Sequence, residues 1–116
     1  MKARVRLIGQ ALDAYEKLKE LAQNENEKGI TSSENITLLR SIGQKIEWLK
    51  ENPLTGEVVR KKDIPKGLDV DNLFKLRLAK FWRMLYTIRR KEIEVFCFVL
   101  IIEPHKDYDK RFKKRS

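Results

Sequence analysis

The sequence predicts an α+β fold in a single domain over residues 1–116, and three observations predict it. Two amphipathic helical stretches fill the first half, separated by a short polar segment. A block of period-two alternation opens the second half. A nearly continuous apolar run, residues 93–102, follows it. The expected architecture is an N-terminal strand, an antiparallel helical hairpin packed on a mostly antiparallel sheet, and a short basic C-terminal helix or tail. At 116 residues the chain can bury one real core without disulfide staples.

Arg4-Val5-Arg6-Leu7 alternates and reads as a short strand. A helix is expected from about Gln10, because Ala11, Ala14, Tyr15, Leu18, Leu21 and Ala22 form one stripe with Glu16, Lys17, Lys19 and Glu20 outside it. It fades in the polar residues 24–29. Thr31 with Glu34 three positions on predicts a capping box. The second helix shows Ile36, Leu39, Ile42, Ile46 and Leu49 at spacings of three and four. It must stop at Asn52-Pro53, since proline disfavours helix in the residue before it. Residues 53–72 read as a long connection carrying Arg60, Lys61, Lys62 and Lys66; connections of this length are commonly functional. Residues 73–79 and 82–88 form a hairpin, and residues 92–102 a third strand. Its apolar pattern, broken by Glu94, fits a central strand covered on both faces. Pro104 ends it, and the tail from His105 is basic.

Lys and Arg number 26 against 17 Asp and Glu, giving a net charge of +9 and a pI near 9.8. That balance favours a polyanionic partner, nucleic acid first and an acidic protein second. The single cysteine, Cys97, allows no internal disulfide and sits in an apolar run, which suits a core position in a reducing cytoplasm. The opening residues Met1-Lys2-Ala3-Arg4 lack a signal-peptide hydrophobic region. The longest apolar run is far short of the roughly 20 residues that span a bilayer, so no membrane partner is expected.

Period two sorts the strands by face. Phe74, Leu76 and Leu78 point one way, with Trp82, Met84, Tyr86 and Ile88 of the partner strand. Lys75, Arg77 and Arg83 point the other way, with Leu85 and Thr87. If the first strand joins the same sheet, Arg4, Arg6, Lys75, Arg77 and Arg83 share one face and the helical hairpin covers the other. Five converging cations repel one another unless an anion binds among them. The alternative is a set of scattered edge positions paired with Glu92, Glu94 or Glu57.

The order of these elements, with Leu49-Lys50-Glu51-Asn52-Pro53 ending the second helix, resembles the RelE/ParE toxin superfamily of toxin–antitoxin systems. Asn72-Leu73-Phe74-Lys75-Leu76-Arg77 followed by Trp82-Arg83-Met84-Leu85-Tyr86-Thr87-Ile88 is similar to that family's paired central strands. His105-Lys106-Asp107-Tyr108-Asp109-Lys110-Arg111-Phe112 is similar to the closing motif of its archaeal and related bacterial members. The resemblance covers nearly the whole chain and rests on order and spacing rather than on one diagnostic motif.

The resemblance implies a metal-independent, cofactor-free endoribonuclease that cuts messenger RNA on the ribosome. The ribose 2′-hydroxyl attacks the adjacent phosphate and leaves a 2′,3′-cyclic phosphate and a free 5′-hydroxyl. On that reading Arg83 matches the arginine at the scissile phosphate, Lys75 and Arg77 assist it, and His105 and Tyr108 supply proton transfer or base stacking. Lys61, Lys62, Lys66, Lys110, Arg111, Lys113, Lys114 and Arg115, with Arg4 and Arg6, would grip RNA. A separate acidic antitoxin is the expected partner, laid over the basic face or displacing the tail helix. The chain also departs from the pattern. Leu73 stands where RelE has a second strand lysine, the connection from Arg77 to Arg83 is one residue longer, and His105 is the sole histidine. No carboxylate is evidently poised as a base, Glu57 and Glu103 being the candidates. A ParE-like gyrase inhibitor, or an RNA-binding protein without nuclease activity, would share the fold without this constellation.

Overall fold

The computed structural model describes residues 1–113. Its elements are β1 (Arg4–Leu7), α1 (Gly9–Glu27), α2 (Glu34–Glu51), β2 (Glu57–Val58), β3 (Phe74–Arg77), β4 (Trp82–Lys91), β5 (Glu94–Pro104) and α3 (His105–Phe112). The strands form one sheet in the order β1-β5-β4-β3-β2, with β1 parallel to β5 and every other pair antiparallel. This is the expected α+β architecture. Lys114 and Arg115, expected on RNA, lie outside the described residues.

The helices follow their apolar stripes. Ala11, Leu18 and Ala22 of α1 and Leu38, Ile42 and Leu49 of α2 are buried, although Leu38 is absent from the predicted stripe and Leu21 is partly exposed. The cap of α2 is Ser33 rather than Thr31. Ser33 Oγ accepts from the Ile36 N–H at 3.1 Å and donates to Glu25 Oε1 at 2.6 Å. The serine wins because it directly precedes the first helical residue and its hydroxyl also reaches the end of α1, so one side chain caps one helix and ties it to the other.

The hairpin of β3 and β4 keeps its predicted faces. Tyr86 is fully buried, stacks on Phe74 at 5.2 Å, donates its hydroxyl to Pro53 O at 2.7 Å and accepts from the Gly56 N–H at 2.9 Å. A Cβ at position 56 would stand 2.8 Å from Lys75 O and 2.9 Å from the Tyr86 ring, so only glycine fits. Strand β4 runs on to Lys91, three residues beyond its expected end, and a two-residue turn with Glu92 at φ +57° leads into β5.

One irregularity in β5 matters for the site. Leu85 pairs with Ile101 but Tyr86 pairs with Val99, so Leu100 bulges out of the ladder. Before the bulge Val95, Cys97 and Val99 face the helices; after it Ile102 does. Unbroken alternation would have sent Glu103 into the helix-side core. The extra residue instead turns Ile101 and Glu103 onto the opposite face, with Glu103 beside Arg83.

Residues 53–72 are more than a surface connection. They add β2 to the sheet, form a 3₁₀ turn at Lys61–Asp63, and fold back over the face away from α1 and α2. There Val59, Leu73, Leu85 and Ile101 make a second, smaller core, closed by Ile64, Leu68, Val70, Leu100, Tyr108 and Phe112. The double coverage expected for the third strand therefore holds for its C-terminal half alone. Phe96 and Phe98, on the same face toward its start, belong to neither core.

Two side-chain amides finish the sheet where strands run out. Gln10 donates to Ile102 O and accepts from Ile102 N, both at 2.8 Å, beyond the end of β1. Asn72 does the same for Ile88 at 3.0 and 2.8 Å, ahead of β3. Each amide offers one donor and one acceptor, which is what an exposed strand edge lacks.

Candidate active site

The register that pairs β3 with β4 sets Arg77 directly opposite Arg83, and the pairing of β2 with β3 sets Glu57 opposite Lys75. These side chains share the face away from α1 and α2. Because α3 starts immediately after β5, Pro104 swings His105 and Tyr108 across the same end of the sheet. Glu57, Lys75, Leu76, Arg77, Arg83, His105 and Tyr108 line one cavity of about 240 Å³. A second cavity of about 400 Å³ shares Lys75 and Tyr108 with it and is walled by Val58, Val59 and Phe112.

Three cations and one carboxylate thus face the first cavity. Like charges directly across a ladder destabilise it, so the Arg77–Arg83 pair costs stability that a bound anion would recover. Arg83 is further held in place: its guanidinium carbon lies 5.9 Å from the Tyr108 ring centroid, and Nη1 donates to Trp82 O at 3.1 Å. Tyr108 in turn packs on Phe112 at 4.6 Å. His105 Nε2 meets Asp109 Oδ2 at 2.9 Å, one helical turn on, which fixes the imidazole on the rim. The turn joining β3 to β4 carries Lys80 and Phe81 at φ +59° and +61°, left-handed conformations that cost non-glycine residues about 1–3 kcal/mol each. Ser41 of α2 anchors that turn by accepting from the Ala79 N–H at 3.0 Å.

The two carboxylates offered as bases separate cleanly. Glu57 stands in the cavity wall. Glu103 is 4% exposed and receives both arms of Arg111, Nε at 2.9 Å and Nη2 at 2.8 Å. That contact raises the Arg111 pKa further and commits both groups to each other. Arg111, expected on RNA, is thus also the partner of Glu103, and that carboxylate is not a free base. The sequence offers Glu57 among three carboxylates for these cations but does not single out Lys75 as its neighbour, because a two-residue strand is too short to show a period.

The five-cation cluster is also corrected. Arg4 and Arg6 do share the face of Lys75, Arg77 and Arg83, but they pair with Phe96 and Phe98 at the far side and opposite end of the sheet. Arg4 is bound by Glu94 at 3.0 Å, the edge pairing foreseen as the alternative. The loop and tail cations divide as well. Lys62, Lys66 and Lys113 line an open groove with Arg111, while Lys61 and Lys110 are exposed outside it. Among the described residues no cluster of His, Cys, Asp or Glu is placed to hold a metal ion, and no helix is long and apolar enough to cross a membrane.

No family model matches the sequence, and none of the curated proteins does. Among solved structures, the chain is similar to the free-state structure of an E. coli toxin RelE variant bearing two arginine-to-alanine substitutions. The TM-score is 0.53 at 15% sequence identity, over 97% of this chain and 95% of that one. The match, extending over nearly the whole of both chains, shows that this chain has a RelE-like fold.

Proposed function

We propose that the chain is the toxin of a type II toxin–antitoxin pair, acting in the cytoplasm as a ribosome-dependent endoribonuclease on messenger RNA. The observation that supports this reading is the gathering of Lys75, Arg77, Arg83, His105 and Tyr108 around one cavity in a RelE-like fold. In the proposed reaction the scissile phosphate binds between Arg77 and Arg83. The ribose 2′-oxygen attacks phosphorus, its proton passing to the Glu57 carboxylate. The bond from phosphorus to the 5′-oxygen breaks, and that oxygen takes a proton from His105. The products are a 2′,3′-cyclic phosphate and a 5′-hydroxyl. The charge that builds on the non-bridging oxygens meets guanidinium and ammonium groups already gathered at the cavity. Tyr108 acts chiefly through Arg83, by offering its ring to the guanidinium. The cognate antitoxin would be acidic, matching the positive cavity and its rim.

Controlled expression followed by mapping of RNA ends tests this reading. The intact chain should create 2′,3′-cyclic phosphate ends in messenger RNA. Arg83→Ala should cut them at a rate lower by about 10²–10³, the loss that follows removal of one preorganised donor. Undiminished cleavage by that variant would reject the role given to Arg83. Growth arrest with intact messenger RNA would reject the nuclease.

A further inference from the structure

Phe96 and Phe98 are apolar side chains that lie outside both cores. They stand two positions apart on β5, on the face away from α1 and α2, and neither packs into the helix-side core or into the smaller core under residues 59–72. Both are only partly buried. Their rings lie parallel, 7° apart in plane and 5.7 Å between centroids, and make a short aromatic ridge. The register brackets that ridge with arginines. Phe96 lies between Arg4 of β1 and Arg89 of β4, and Phe98 lies beside Arg6. Arg4 is engaged by Glu94, but Arg6 and Arg89 are exposed and form no ion pair among the described residues.

We propose that this ridge is a second RNA contact, a platform on which unpaired bases stack while Arg6 and Arg89 hold the flanking phosphates. The proposal rests on the reading that the chain acts on RNA and extends it to a surface outside the cavity. An aromatic pair set between cations on an open sheet is what single-stranded nucleic acid recognises, since every base has a π face and every linkage a charge. An acidic peptide would use the arginines but would leave the rings without a partner of their own kind. The platform and the cavity share one face of the sheet. Four residues of β4, from Thr87 beside Phe98 back to Arg83, separate them by ~13 Å at the rise of a strand. An RNA strand would reach both by passing over the small core between them.

The test is equilibrium binding of a fluorescein-labelled oligoadenylate to the full chain, with a 2-aminopurine-substituted version reporting stacking. Phe96→Leu/Phe98→Leu keeps the apolar bulk and removes the rings. It should weaken binding by about 10- to 100-fold and abolish the 2-aminopurine quenching, with an unchanged melting temperature. Phe96→Ala/Phe98→Ala should act in the same direction. Arg89→Ala should weaken binding and flatten its salt dependence, whereas Lys17→Ala, an exposed cation on α1, should do neither. Wild-type affinity in the leucine variant, or no binding of oligoadenylate by the intact chain, would overturn the platform. So would a leucine variant that loses polyglutamate instead, a result assigning the surface to an acidic protein. Cleavage is scored separately by RNA-end mapping, so a platform without a nuclease and a nuclease without a platform give different results.

Discussion

On the helix-covered face of the sheet Met84, Tyr86, Cys97, Val99 and Ile102 pack against Ala11 and Leu18 of α1 and Leu38, Ile42 and Leu49 of α2. On the opposite face β4 alone presents Arg83, Leu85, Thr87 and Arg89 in succession, two cations either side of a small core and a hydroxyl bound to Asn72. The first face is closed by regular elements with matching apolar stripes. The second is closed by residues 59–72 and α3, which cover half of it and leave a charged cavity and an aromatic ridge uncovered. One side of the sheet therefore carries most of the burial energy. The other gathers like charges around an open cavity.

The sharpest way to break this division is at the ion pair that holds α3 down. Arg111→Ala would take away the partner of the Glu103 carboxylate, 4% exposed, and should cost about 1–3 kcal/mol by urea unfolding. A second consequence is specific to this geometry. Arg83 lies next to Glu103 in the β4–β5 register and would turn toward the orphaned charge, away from the cavity. Cleavage should then fall even where the variant is fully folded. Glu103→Gln/Arg111→Gln removes both charges and should recover much of the stability. If Arg111→Ala unfolds at the wild-type urea concentration, the pair is a surface ornament and the open face has no latch.

A matched pair of truncations compares the two cores directly. Leu49 and Leu85 are both fully buried, one on α2 in the helix-side core and one on β4 under residues 59–72. Leu49→Ala should cost about 2–5 kcal/mol, since neighbouring helices cannot move in to fill the void. Leu85→Ala should fall at the low end of that range, because an irregular segment can collapse where packed helices cannot. Equal losses would mean that the loop-covered core is as rigid as the helical one.

The same division explains what the sequence makes legible. Helices α1 and α2 show themselves through stripes long enough to have a period, and the faces of Phe74, Leu76, Met84 and Tyr86 follow from strict alternation. Lys75, Arg77 and Arg83 are found by the same alternation, and His105 and Tyr108 by family resemblance. What escapes is whatever depends on an irregularity. The bulge at Leu100 is hidden inside an unbroken apolar run, so the turning of Glu103 onto the open face has no local signature. The partnership of Glu103 with Arg111 joins a strand to the following helix, and a tail rich in cations offers no reason to single out Arg111. The separation of Arg4 and Arg6 from the cavity depends on strand order, since face alone says nothing about which strands are neighbours.

The last comparison concerns protons held on the closed face. Burial pushes the Tyr86 phenol up to about 12, an effect partly opposed by its bond from Gly56, and pushes the Cys97 thiol up to about 11. Both groups keep their protons more tightly when folded than when unfolded. Their contribution is therefore complete below the ordinary thiol and phenol values of 9.0 and 10.0, and is lost as pH rises toward 11 and 12. Urea midpoints should hold steady from neutral pH to about pH 9 and then fall. Tyr86→Phe removes one titrating group but leaves Pro53 O and the Gly56 N–H without their shared hydroxyl, so it should cost about 1–3 kcal/mol at neutral pH. The variant should also lose less stability than wild type between pH 10 and 12. A Tyr86→Phe chain with the wild-type alkaline slope would show that the high-pH loss does not arise from this phenol.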